Sequence, residues 1–409
     1  MSSSNQKVVI CCREGQQPPY NTMLRFHNWG KELVKRGYDV TIIASSVVHN
    51  TDIDVIDVLG KDQTICDGIN YLYIKTPKYQ GNGLGRFKNM AKYVLKLKKQ
   101  KTRIEKPDII IAADAYVFPF AKKINKNAKV ISDITDLWPL SIIEYANLSK
   151  FNPIVQMFYY FEKKAYIKSD ALIFSMEGGK DYVEERKYAK KVNHNKIFHI
   201  NMGCDISQID EYRKNETPLD WDMNLFNIGY CGSIRQANNV KQICDAALTI
   251  KKNNINDVFF RIYGNGDELE SLIKYCKDNE IDNVKFYGRI EKEKIPSILS
   301  KSNANILTYK QVNLMKYGGS QSKLFDYLSV GVPIICNCNF GYNLITRYNC
   351  GVVTKSQSTD DFIEAVMVLK SLPKEKLEGY GKNARKTAEL YDVKKLTDQL
   401  VGVFDYLSR

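Results

Sequence analysis

Histidine is scarce in this chain: four among 409 residues, His27, His49, His194 and His199, scattered without a metal-ligand set around them. No window approaches the ~20 apolar residues that a membrane-spanning helix requires. Met1 is followed by a short polar stretch rather than a charged segment leading into an apolar core, which argues against a secretory leader. The ten cysteines are dilute, and Cys11, Cys12, Cys231, Cys336 and Cys338 fall inside apolar runs. That pattern fits reduced core residues in a cytoplasmic protein rather than a disulfide framework. Cys336-Asn-Cys338 has no second Cys/His pair to complete a zinc set. Gly264-Asn265-Gly266 lacks the third glycine of a dinucleotide fingerprint, since Leu269 stands there. No serine or cysteine nucleophile comes with a recognisable histidine order. Low-complexity tracts and short repeats are absent as well.

What is present is an ordinary soluble composition, 44% hydrophobic and 26% charged, in a chain long enough for two or three domains. The net charge is +14 and sits almost wholly in the first half: residues 1–200 carry 32 basic and 20 acidic groups (+12), the remainder 28 and 26 (+2). Such a field favours an anionic partner, whether nucleic acid, phospholipid or a phosphorylated small molecule.

Strand-like apolar runs occur at 7–12, 39–44, 70–75, 108–113, 128–133 and 170–175, with helical patterns at 21–36, 86–103, 152–168 and 178–189. A second series runs through 226–231, 258–263, 284–287, 304–308 and 332–336. Continuous apolar strands alternating with amphipathic helices imply parallel sheets covered on both faces. The polar stretch 206–224 separates the two series. The expected fold class is α/β, two doubly wound Rossmann-like domains facing across a cleft. The expected boundaries are 1–205, 206–390 and a last helix, 391–409, returning to the first domain.

No acid lies between Asp67 and Glu105, an interval holding ten lysines and arginines. Phe87, Met90, Ala91, Val94 and Leu97 share one helical face there. A basic amphipathic helix over 86–103 suits an anionic bilayer surface, and equally a helix packed on the sheet with a solvated lysine face.

The most informative stretch is 317–335. Gly318-Gly319-Ser320 forms a turn opening a helix with Lys323 in its first turn and Asp326 three residues later; Gly331 ends it. Free N–H groups and the dipole at a helix start attract an anion. Lys323 adds a positive charge for a diphosphate, and Asp326 can accept bonds from ribose hydroxyls.

This stretch resembles the donor-binding signature of retaining glycosyltransferases of GT-B architecture, family 4, and within it the subgroup building bacterial O-antigen and capsule sugars. Other resemblances follow in order: Tyr20-Asn21-Thr22 with Arg25, residues 33–40, Asp136-Leu137-Trp138-Pro139, Ser169-Asp170-Ala171, Asn201-Met202-Gly203-Cys204-Asp205, residues 229–233, 263–267 and 286–289. Together they cover about residues 7–400.

The resemblance implies that the second domain binds a nucleotide sugar, a UDP-sugar foremost. Arg289 and Ile290 would meet the base and Asp326 the ribose. Gly232, Ser233, Ser320, Gln321, Ser322 and Lys323 would meet the diphosphate. Lys323 and Arg235 would neutralise the leaving group, and Asp136 with loop 15–25 would lie near the reacting centre. The acceptor would be a lipid-linked or other oligosaccharide in surface-polysaccharide synthesis, reached at the inner face of the cytoplasmic membrane. The transferred group would be hexosyl or N-acetylhexosaminyl. Two departures stand out: Gly318 replaces a glutamate found in many members, and Ser233 and Asn239 replace an arginine and a lysine.

No cofactor and no metal is expected. Asp52-Ile53-Asp54 and Asp220-Trp221-Asp222 have the spacing of a metal-holding acid pair but read as solvated acids. Asp136 reads equally as a helix cap, and His27 on the first helix as a core or surface residue that could reach the cleft. A UDP-sugar epimerase of the same architecture and a basic nucleic-acid-binding protein are the alternatives; with no nucleic-acid fold signature, no nucleic acid is expected as partner.

Overall fold

The computed structural model describes residues 6–21, 24–81, 83–214, 217 and 219–409. Thr22 of the first-loop motif, residue 23 of loop 15–25 and Pro218 of the connecting stretch lie outside them. The chain forms two compact units, Met1–Asn201 with Val393–Arg409, and Met202–Asp392.

The first unit is built on eight strands: β1 (Lys7–Cys11), β2 (Asp39–Ser45), β3 (Gln63–Cys66), β4 (Ile69–Ile74), β5 (Ile109–Ala113), β6 (Lys129–Ile134), β7 (Ala171–Phe174) and β8 (Ile197–His199). Their order across the sheet is β3-β4-β2-β1-β5-β6-β7-β8. All neighbours run parallel except β3, which pairs antiparallel with β4. All of β5 is buried, as the unbroken apolar run demands when helices cover both faces. Each fully buried isoleucine there contributes about 1.5–3 kcal/mol.

The second unit holds six strands: β9 (Phe226–Cys231), β10 (Val258–Tyr263), β11 (Val284–Gly288), β12 (Ala304–Leu307), β13 (Ile334–Cys336) and β14 (Gly351–Val353), in the order β11-β10-β9-β12-β13-β14, all parallel. In each sheet the strand order reverses about the first strand, between β1 and β5 and between β9 and β12. Ligands of open α/β sheets bind at the carboxyl ends of strands at such reversals.

The helix that carries the basic stretch spans Leu84–Leu97 and continues as a 3-10 turn, Lys98–Thr102. Its side chains Met90, Tyr93, Val94 and Leu97 are buried. Of the residues expected on its apolar face, Met90, Val94 and Leu97 are thus covered by the unit itself, and Phe87 lies beside Phe158. That face is not available to a bilayer. The outer face exposes Leu84 and Leu95 among Lys88, Lys92, Lys98 and Lys99.

Arg25 opens the first helix, Arg25–Lys35, and is buried. Its guanidinium bonds both oxygens of buried Asp133 at 2.9 Å and donates to the carbonyls of Ile200 and Asn201 at 2.9 and 2.6 Å. The end of the first run of chain is thereby tied to its first helix. The last helix, Val393–Leu407, packs in this same unit through Arg36 with Asp398 (2.6 Å) and Tyr38 with Phe404. Asp54 is no solvated acid. It is 2% exposed, caps the helix Val55–Leu59 through the Ile56 amide and pairs with Lys75 at 3.0 Å. Asp220 pairs with Lys285 and Tyr287, and Asp222 accepts from the Asn224 amide.

Candidate functional site

At the β9 end of the second sheet, the chain turns through Gly232 and Ser233, and the helix Ser322–Val330 begins beside it. An α-helix cannot satisfy its first N–H groups internally, and Gln321, the residue at the N-cap, makes no side-chain cap bond here. Lys323, in its first turn, runs under Gly232. A Cβ at position 232 would stand 2.6 Å from the lysine Cε. Its Nζ donates to the Tyr230 hydroxyl at 3.1 Å and lies over the rings of Tyr230 and Tyr309, 4.6 and 4.8 Å from their centres. With its amide oxygen turned to the ammonium, Asn238 accepts from Lys323 at 3.3 Å and donates to the Ser233 carbonyl. Burial pushes the lysine down to about 8, against the pull of Cys231 and Asp326. The Tyr327 hydroxyl, on the same helix, bridges the Cys231 N–H and C=O, fixing helix to strand.

Asp326 sits one turn further on. Burial raises its carboxyl, while Lys292 and Lys323 pull it down. Gly264-Asn265-Gly266 allows two loops to pack backbone against backbone, because a Cβ at 264 would meet the Gly232 carbonyl at 1.8 Å, and one at 266 the Ile234 carbonyl at 2.0 Å. The β10 loop thereby lies directly on the β9 turn, joined by the Ile234 amide to the Asn265 carbonyl at 2.9 Å. The Gly264 amide in turn donates to the Gly288 carbonyl, next to Arg289. Gly232, Ser233, Lys323 and Asp326 are therefore brought together, and Arg289 and Ile290 connect to them through this ladder of loops. Arg289 is exposed, and Ile290 packs beside Trp221 and Tyr263. Arg235 is exposed at the start of the short turn Gln236–Asn238. Gln321 is the residue preceding the helix, and its Oε1 is buried without a partner in the structure. Ser320 is half-buried and Ser322 exposed.

In the first unit, Asp136 follows β6, and its Oδ2 accepts from Trp138 Nε1 at 2.8 Å and Ser141 Oγ at 3.1 Å. It belongs to a charged cluster that no sequence motif announces. Arg13 and Glu14 follow β1, Asp114 follows β5, and Arg86 comes from the helix Leu84–Leu97. Buried Arg13 pairs with Glu14 and donates to Tyr79 (2.9 Å) and Asn89 (3.2 Å). Arg86 and His49 approach Glu14 at 3.6 and 3.7 Å, and Arg86 lies over the Trp138 ring. Burial would raise the Glu14 carboxyl, but Arg13, His49 and Arg86 hold it low.

Asp114 is the opposite case. Burial, then Asp136, Glu14 and Asp133, push it up to about 7 despite Arg13. It also adopts φ +70°, a left-handed conformation that an aspartate tolerates better than most residues. Two neighbouring carboxyls of opposite protonation preference at the strand ends can accept or hold a proton near neutral pH. The available signal was position: Asp114 is the first polar residue after the apolar run of β5. His27, by contrast, turns away from this cluster to the β3–β4 hairpin, where it meets Tyr71 and Asp67.

Residues 212–387 match the family described as glycosyl transferases group 1. That matched stretch lies within the second unit. An uncharacterized glycosyltransferase of Methanocaldococcus jannaschii is 22% identical to the chain over 249 residues, which is 60% of each protein's length. Among solved structures, HepE of Anabaena in complex with UDP and glucose aligns over 98% of this chain and 100% of its own at TM-score 0.68 and 14% identity. Sucrose-phosphate synthase of Thermosynechococcus elongatus aligns over 98% and 99% at TM-score 0.77 and 14% identity. The fold is GT-B, and the lysine and glycine turn described above lie within the matched stretch.

Proposed function

We propose that this chain is a retaining, metal-independent glycosyltransferase that moves a hexosyl or N-acetylhexosaminyl group from a UDP-sugar to a lipid-linked saccharide acceptor. The observation that carries the reading is Lys323, held beneath Gly232 in the first turn of a helix. Amides, dipole and ammonium converge where a diphosphate's charge would develop, which is preorganised stabilisation of a leaving group. The group 1 match and a structural relative solved with UDP and glucose support a nucleotide sugar as donor.

In this reaction the bond between the anomeric carbon and the diphosphate oxygen breaks. A new bond to the acceptor oxygen forms on the same face, and the hydroxyl proton passes to the departing phosphate. Asp326 serves the ribose, Arg289 and Ile290 the base, and Ser320, Gln321, Ser322, Gly232, Ser233 and Arg235 the diphosphate. Asp136, with Asp114 and Glu14, serves the acceptor hydroxyl in the first unit. The acceptor's lipid suits a peripheral enzyme at the cytoplasmic face of a membrane, where Lys88, Lys92, Lys98 and Lys99 beside exposed Leu84 and Leu95 would meet anionic headgroups. Among the described residues, no helix is long and apolar enough to cross a bilayer.

The test is a nucleotide-sugar panel read by thermal shift, then transfer to membrane extracts with Lys323→Ala in parallel. Stabilisation by one UDP-sugar, with transfer lost in the variant, is expected. No stabilisation by any nucleotide sugar refutes the reading, and an epimerised free UDP-sugar formed without acceptor replaces it with the epimerase.

A further inference from the structure

The β3–β4 hairpin turns through Asp67 and Gly68, whose φ values of +49° and +76° are the mirror-type two-residue turn that Asp-Gly favours. The tip lies on the first helix at very short range. A Cβ on Gly68 would touch Val34 Cγ1 at 2.8 Å, and one on Gly30 would touch Ile69 Cδ1 at 2.7 Å. His27 and Val34 are seven residues apart on one helical face, so the same contact carries the imidazole to the turn.

Three different donor groups then converge. His27 Nε2 is 3.0 Å from Asp67 Oδ2, Cys66 Sγ is 3.9 Å from that oxygen, and all three ligand atoms lie within 4.8 Å of one another. A tetrahedral zinc ion with bonds of about 2.0–2.3 Å sets its ligand atoms roughly 3.3–3.7 Å apart, so shifts of an ångström or less would complete the set. The ring is already aimed: its Nδ1 is hydrogen-bonded to the Tyr71 hydroxyl at 2.7 Å, leaving Nε2 toward the hairpin. A fixed partner on the second imidazole nitrogen is the usual way a ligating histidine is oriented. His27 is buried, Cys66 half-buried and Asp67 exposed, which provides a dry wall on one side and an entry path on the other.

We propose that His27, Cys66 and Asp67 bind a divalent transition-metal ion, zinc foremost, with water in the fourth position, clamping the hairpin to the first helix. Sulfur, nitrogen and oxygen donors together suit zinc or cobalt and disfavour magnesium or calcium. On binding, the Cys66 thiol loses its proton to solvent and the thiolate takes the metal. The site is structural and belongs to the first unit, whereas Lys323 and its helix belong to the second, so it stands or falls apart from the transferase reading.

The experiment uses the full-length chain stripped with EDTA and titrated with Co²⁺. One equivalent should bind with a near-ultraviolet thiolate-to-cobalt charge-transfer band, zinc should displace it, and zinc should raise the melting temperature. Cys66→Ser, on an edge strand where a hydroxyl is tolerated, should abolish the band, and Asp67→Asn, which replaces a ligating carboxylate, should weaken binding by at least the ~10-fold that loss of an outer-shell partner costs. Circular dichroism confirms that both variants fold. Absence of a thiolate band in the wild type, a band that survives Cys66→Ser, or equal zinc stabilisation of wild type and both variants would each overturn the site, leaving a plain contact between His27 and Asp67.

Discussion

Gly232 and Lys323 occupy one small volume: a single methyl group on the glycine would stand 2.6 Å from the lysine's Cε and 2.8 Å from its Nζ. The turn after β9 is therefore also the roof over the charge that the proposed reaction needs. Because a lysine end can swing aside, Gly232→Ala should cost less than about 1 kcal/mol of stability while displacing the ammonium. UDP affinity by calorimetry should fall about tenfold, equivalent to ~1.4 kcal/mol. Unchanged affinity would remove Lys323 from the diphosphate site.

The pH dependence of donor binding follows from the same lysine. Its ammonium titrates at about 8 in the free protein, so the charge is mostly present at pH 7 and lost above pH 8. The dissociation constant for UDP should rise with pH above that point, by up to about tenfold per pH unit, because only the charged form attracts the anion. In Lys323→Met the same titration should be flat across pH 7–9.

Gly264 presents the contrasting case. It has φ +144°, and a Cβ there would meet the Gly232 carbonyl at 1.8 Å, backbone against backbone. Gly264→Ala should destabilise the second unit by about 2–3 kcal/mol in urea unfolding, since neither loop can yield without breaking the backbone hydrogen bonds between them. A stable Gly264→Ala protein would mean the loops separate easily.

Asp114 couples folding to pH. Its carboxyl titrates near 3.8 when unperturbed and at about 7 when folded, so the native state holds the proton more tightly. The stability it contributes is complete below about pH 4 and declines as pH rises to about 7. Asp114→Asn, which tolerates the left-handed backbone, should flatten that decline by on the order of 2 kcal/mol in denaturant titrations at pH 5 and 8. Glu162, raised the same way to about 7 by burial despite bonds from Tyr182 and Tyr188, leaves a residual slope of the same sign.

Arg25 supports the first unit through two bonds to Asp133 and two to backbone carbonyls. Arg25→Met leaves a buried carboxylate unpaired, so a loss of about 3–5 kcal/mol is expected. Restoration of wild-type stability by adding Asp133→Leu would identify the stranded charge as the cause.

The long buried strands were legible because a parallel strand covered on both faces has to be apolar throughout, as Ile109–Ala113 is. Three of the short ones, β3, β8 and β14, were not. β8 and β14 have three residues each, and β3 owes its place to the Asp67-Gly68 turn rather than to an apolar run. The turn and helix around Lys323 could be read because their residues are near one another in sequence. Arg13, Glu14, Asp114 and Asp136 could not be read as a cluster, because they come from three strands whose adjacency only the sheet order creates. The basic helix was legible in part: its spacing identified Met90, Val94 and Leu97 as a buried face, though Ala91 is exposed, and it could not choose between a sheet and a bilayer because both demand such a face.

The assignment of Val393–Arg409 to the first unit makes the second an uninterrupted insertion, Met202–Asp392, whose two ends meet where Cys204 bridges to Asp392. Trimming the final seventeen residues would strip a buried helix from the other half of the molecule, so that lesions at opposite ends of the gene would share one phenotype. Residues 202–392, by contrast, could be expressed as a single continuous fragment to measure UDP binding in isolation.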